Sequence, residues 1–117
     1  MVISRGDILM VDMKRSQGTS LQSGIRPVVV VSNNMANTYS PVLTVVPFTS
    51  RIHKKRYLPT HVFVSIHEMV GLNRHGLILA EQITSIDVKD IIQKCGYVNS
   101  EAMKRITDAV EIQIGIT

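Results

Sequence analysis

The chain has 117 residues, 44% of them hydrophobic and 19% charged, which suits one compact domain over 1–117 with a real core and excludes a disordered chain. The formal net charge of +4 favours a polyanionic partner such as nucleic acid or an acidic protein. A single cysteine, Cys95, excludes an internal disulfide and suits a reducing cytoplasm. The opening MVISRGD turns charged before any apolar run develops, so no signal peptide is expected, and no apolar stretch is long enough to span a bilayer. With no Trp, two Phe and three Tyr, the core must be aliphatic.

ILMVDM (Ile8 to Met13) reads as a strand after the turn residues Gly6 and Asp7. Lys14 to Gly24 is polar without hydrophobic period, a loop of about ten residues, long enough to suggest a functional role. PVVVVS (Pro27 to Ser32) is apolar on both faces and so reads as a central buried strand, with Pro27 at its start where no ladder N–H is needed. Asn33 to Pro41 is turn-rich, with room for one helical turn. VLTVVPFTS (Val42 to Ser50) is a third strand whose Pro47 implies an edge, a bulge or a bend. Arg51 to Thr60 is a basic loop. HVFVSI (His61 to Ile66), LILAEQI (Leu77 to Ile83) and KCGYV (Lys94 to Val98) read as further strands. A short helix is expected from Val88 to Ile92, capped by Ser85 or Asp87. A longer one from about Ser100 to Ile114 sets Met103, Ile106, Val110 and Ile114 on one apolar stripe. The expected class is α+β, mainly β: a small, strongly bent sheet or barrel closed by a C-terminal helix.

Arg26 stands two residues before Val28, between Gly24 and Pro27. A guanidinium there offers five donors in a planar fork, aimed by a stiff strand and held extended by the following proline. It suits a phosphate; the competing expectation is an ion pair with Asp12 or Glu81. Thr49 and Ser50 end the third strand, where a hydroxyl can bond a phosphate, although Thr also favours strands and Ser favours turns for their own sake. RIHKKRY interleaves Arg51, Lys54, Lys55 and Arg56 with His53 and Tyr57, a pattern fit to follow a nucleic-acid backbone and stack a base, or simply to be a solvated loop. No HExxH, CxxC, P-loop, GxGxxG or GxSxG pattern occurs, so neither a metal nor a nucleotide cofactor is expected.

Together RGDILMVDM, GIRPVVVVSNNMAN, VVPFTS, LPTHV and LAEQITSID cover most of the chain. In that order these segments resemble the MazF/PemK family of toxin endoribonucleases, the mRNA interferases of type II toxin–antitoxin systems. The resemblance implies a small SH3-like β-barrel with a short helix and a C-terminal helix. It further implies a cytoplasmic homodimer that cleaves single-stranded RNA at a short sequence without a metal, and that is inhibited by a cognate acidic, MazE-like antitoxin.

The same resemblance implies Arg26 and Thr49 as the catalytic pair, and Gln82 near the RNA groove with Leu58 and Pro59 lining it. Ser50, Arg51, His53 and Lys54 extend the expected RNA surface. Relatives typically carry Gly-Ser-Glu-Gln-x-Gly before the Arg-Pro. Here the stretch GTSLQSGIRP is one residue longer; Thr19 or Ser20 stands for the serine, Gln22 for the glutamine, and nothing for the glutamate. Two rival readings accompany this one. The first is a non-enzymatic toxin of the same fold that grips a protein such as a topoisomerase and does not need Arg26. The second is an SH3-like peptide adaptor, disfavoured because a proline-rich ligand needs an aromatic groove.

Overall fold

A computed structural model describes residues 1–14, 21–52 and 58–116. The strands are β1 (Asp7–Asp12), β2 (Ile25–Val30), β3 (Val42–Thr49), β4 (His61–Val64), β5 (Met69–Val70), β6 (Gly76–Leu79), β7 (Thr84–Asp87) and β8 (Ile91–Val98). Helix α1 (Asn34–Tyr39) follows β2, and α2 (Ser100–Gln113) ends the fold. The sheet runs β4-β6-β3-β2-β1-β8-β5, with β7 added beside β3. It curls into a nearly closed barrel, the mainly-β fold with a C-terminal helix that the pattern predicts.

The valine run explains the centre of this sheet. In β2 alternate side chains face opposite sides, so Val28 and Val30 join Leu9, Leu43 and Val45 in one core. Val29 and Val31 join Ile8, Val46 and Ile78 in the other, the side that α2 covers. Strands β1, β2 and β3 are thus a wall shared by two aliphatic cores. Val28, Val29 and Val30 are each fully buried, and each such side chain contributes roughly 1.5–3 kcal/mol. The backbone at the start of this run is therefore held stiffly.

Pro47 marks a bend rather than an edge. The first part of β3, through Val45, pairs with β7, whereas Phe48 and Thr49 pair with β6. The residue that cannot donate an N–H sits at the handover between these partners.

The N-terminal RGD is a structural knot. Gly6 has φ +94° and its N–H donates to Val30 O. The Arg5 guanidinium donates to Val31 O and to the Thr107 hydroxyl. Buried Asp7 accepts from Ser4 N–H at 2.7 Å and pairs with Lys94 at 3.1 Å.

Three expectations change. The helix expected over Val88 to Ile92 is one 3-10 turn, Val88–Asp90, after which β8 begins. Asp87 does cap it, accepting from Lys89 N–H at 2.9 Å, but β-branched Ile91 and Ile92 then return the chain to extended form. LILAEQI is a strand only to Leu79 and then turns through Ala80–Gln82. On α2, Ile106 is central as expected, but its buried flanks are Ala102 and Ala109, while Ile114 is 56% exposed. Small residues let the helix lie close against the barrel, and Ile114 falls beyond its last turn.

Candidate active site

Strands β2 and β3 pair with Val28 opposite Pro47. Arg26 and Thr49 lie two residues beyond this last pair, each at its own strand's pocket end. Arg26 pairs with Val11 of β1 and Thr49 with Leu77 of β6. Both residues therefore sit on strands bonded along both edges, a more exact mounting than a free loop provides. Gly24, at φ +72°, makes the turn into β2 and its carbonyl accepts from Met13 N–H at 2.9 Å.

Arg26 is half-buried, and its Nε donates to Ser23 O at 2.8 Å. One of five N–H donors is thereby used to fix the side chain, and the other four have no hydrogen-bond partner among the described residues. Neither anticipated carboxylate holds it. Glu81 pairs with His61 at 2.7 Å, and Asp12 accepts from Lys14 N–H at 2.9 Å. Among the described residues Arg26 has no ion-pair partner. Thr49 is 3% exposed, and its hydroxyl oxygen accepts from Arg51 N–H at 3.2 Å.

Arg26 and Thr49 line one pocket of about 180 Å3, with Ser50 beside them and Phe48 among its walls. That volume is smaller than a typical drug-sized site and suits one phosphate or one base. The remaining wall comes from Leu72, Asn73 and Arg74, in the turn between β5 and β6. Sequence reasoning missed these three. The available signal was a short polar segment carrying a cation between Gly71 and Gly76.

Gln22 and Gln82 are joined 60 positions apart: the Gln22 N–H donates to Gln82 Oε1 at 2.8 Å, and both residues are buried. The bond fixes the backbone one residue before Ser23, whose carbonyl holds Arg26. Gln82 thus supports the guanidinium from behind. Pro59 lines a different groove of about 700 Å3, between β4 and α2, shared with His61, Phe63, Arg105 and Ile112. Leu58 is half-buried, and its carbonyl accepts from His61 N–H. Arg51 is exposed just past the pocket. Thr19, Ser20, His53 and Lys54 lie outside the described residues.

A small barrel mounts a guanidinium with no ion-pair partner among the described residues beside a buried hydroxyl, on adjacent strands, an arrangement whose donors suit an anion. Residues 4–114 match the family described as PemK-like, MazF-like toxin of type II toxin-antitoxin system, and the chain belongs to that family. It is 36% identical over 115 residues to a protein of Staphylococcus saprophyticus named Endoribonuclease MazF, covering 98% of this chain and 93% of that one. Its fold is shared with the crystal structure of MazF from Deinococcus radiodurans, at TM-score 0.80 and 21% identity over 98% of both chains. It is shared too with a mycobacterial endoribonuclease in complex with its cognate antitoxin, at TM-score 0.74 and 22% identity over 97% of this chain and 94% of that one.

Proposed function

We propose that this chain is the toxin of a toxin–antitoxin pair, an endoribonuclease that cuts single-stranded RNA at a short sequence without a metal. The observation that carries the reading is the pocket shared by Arg26 and Thr49, with the guanidinium tethered at one N–H and open at the rest. RNA supplies its own nucleophile. The O2′ attacks the adjacent phosphorus, the P–O2′ bond forms and the P–O5′ bond breaks. One proton leaves O2′ and one is delivered to O5′, with no net change. The products are a 2′,3′-cyclic phosphate and a 5′-hydroxyl.

Charge grows on the non-bridging oxygens as phosphorus becomes five-coordinate. Arg26 meets that charge with donors already in place, and Thr49 donates its hydroxyl hydrogen to a non-bridging oxygen and holds the phosphate in line. Bases of a single strand are splayed and can be read on their Watson–Crick edges by the neighbouring loops. The positive net charge suits both RNA and an acidic antitoxin. The protein acts as a homodimer in the cytoplasm; no helix among the described residues is long and apolar enough to cross a membrane.

The test is incubation with a defined single-stranded RNA and mapping of both new ends. Arg26→Ala folds normally and loses at least about a hundredfold in cleavage rate, the scale of removing one main charge stabiliser. Cleavage by Arg26→Ala at the wild-type rate rejects the assignment. EDTA leaves wild-type activity intact, and a chelator-sensitive reaction rejects the metal-free chemistry.

A further inference from the structure

We infer that Arg74 is a second catalytic guanidinium, contacting the same scissile phosphate as Arg26. The inference rests on the endoribonuclease reading above and adds a residue to it. Three observations carry it. Arg74 and Arg26 line the same pocket, which holds no carboxylate among its lining residues. Arg74 is exposed and has no ion pair among the described residues. Its position is set by pairing and not by chance proximity: Thr49 pairs with Leu77, three residues after Arg74, so the turn carrying Arg74 stands over the end of β3.

Two guanidinium groups around one small volume, neither with an ion-pair partner among the described residues, repel each other until an anion enters between them. The charge of that anion explains why there are two. A phosphodiester carries one negative charge in the ground state and approaches two as the five-coordinate species forms. Arg26, tied to Ser23 O, is preset for the resting charge. Arg74, on an exposed turn, supplies the donors for the charge that appears during attack, so its contribution falls on the rate and less on binding. No new bond-making step is added; the O2′ attack and O5′ departure are as described above.

The experiment is single-turnover cleavage of a defined RNA by the full-length protein, with the scissile linkage as phosphate or as either phosphorothioate diastereomer. Arg74→Ala is expected to lower the rate at saturating RNA by about a hundredfold. Arg74→Lys, which keeps the charge but not the fork, falls between the two. One phosphorothioate diastereomer slows the wild type, and that penalty shrinks in Arg74→Ala because the contact it reports is already gone. Lys104→Ala, an exposed cation away from the pocket, cleaves as the wild type does. A loss in Arg74→Ala that disappears at saturating RNA, with the phosphorothioate penalty unchanged, overturns the inference and leaves Arg74 a general electrostatic contact. A folded wild type that leaves RNA uncut refutes the endoribonuclease reading instead, so the two failures are distinguishable.

Discussion

Replacing Gln82 with Leu removes a buried acceptor while nearly keeping side-chain volume. The Gln22 N–H, now 2.8 Å from Gln82 Oε1, is left inside without that partner. Removing the acceptor of a buried amide hydrogen bond costs about 1–3 kcal/mol. Taking about 2 kcal/mol, a domain of this size melts roughly 6–12 °C lower. Local opening becomes easier by the same amount, so the Gln22 amide exchanges its hydrogen about thirtyfold faster, at tenfold per 1.4 kcal/mol. The strand entry that holds Arg26 through Ser23 O then wanders, and with Arg26 in the proposed role its misplacement by about 1 Å costs on the order of a hundredfold in rate. Thermal melting, amide exchange by NMR and single-turnover cleavage measured well below the melting temperature read the three consequences. A Gln82→Leu protein with wild-type melting and a still protected Gln22 amide refutes the structural part. One that melts early but cleaves at the full rate refutes the link from Gln82 to Arg26.

Gly76 has no room for a side chain: a Cβ there would lie 2.2 Å from the ring of Phe48, which lines the pocket shared by Arg26 and Thr49. Gly76→Ala is expected to cost about 1–3 kcal/mol by overpacking and to slow cleavage as the ring is pushed into the pocket. Adding Phe48→Leu restores part of both, a non-additivity readable in a double-mutant cycle; strictly additive losses contradict the contact. The Arg105 guanidinium bonded to Glu68 holds that carboxyl below its ordinary range, against some opposing desolvation. A depressed carboxylate stabilises the fold above its unfolded pKa and loses that contribution as pH falls through the folded value. The melting difference between wild type and Arg105→Ala should therefore be full at neutral pH and shrink below roughly pH 4. A difference constant from pH 7 to 3 argues that Arg105 acts by packing alone.

The motifs most visible in the sequence turn out to be divided between scaffold and pocket. In LPTHV, His61 pairs with Glu81 of the EQ segment, and the Thr60 carbonyl accepts from Ala80 N–H; these residues bind one strand to the next. The RGD opening ties the first strand to β2, β8 and α2. Of these motifs, the Arg-Pro segment and the end of β3 bring side chains to the pocket, where the turn carrying Leu72, Asn73 and Arg74 joins them. Two strands were illegible for plain reasons. Met69–Val70 is too short to show a period, and Thr84–Asp87 carries the polar residues of a helix cap while pairing with β3.

By itself the sequence determined what local physics controls. The valine run demanded a strand buried on both faces, the spacing after Asn99 demanded a helix, and Pro27 held Arg26 extended at the mouth of that strand. Only the tertiary structure decided which distant residues meet. The pairing of β2 with β3 brings Arg26 and Thr49 to one pocket, the β3–β6 pairing lays Arg74 over the same pocket, and a bond across 60 positions joins Gln22 to Gln82. The reason is that hydrophobic period and turn chemistry act over a few residues, whereas polar side chains without a period receive their positions from strand pairing, which only the packed sheet settles.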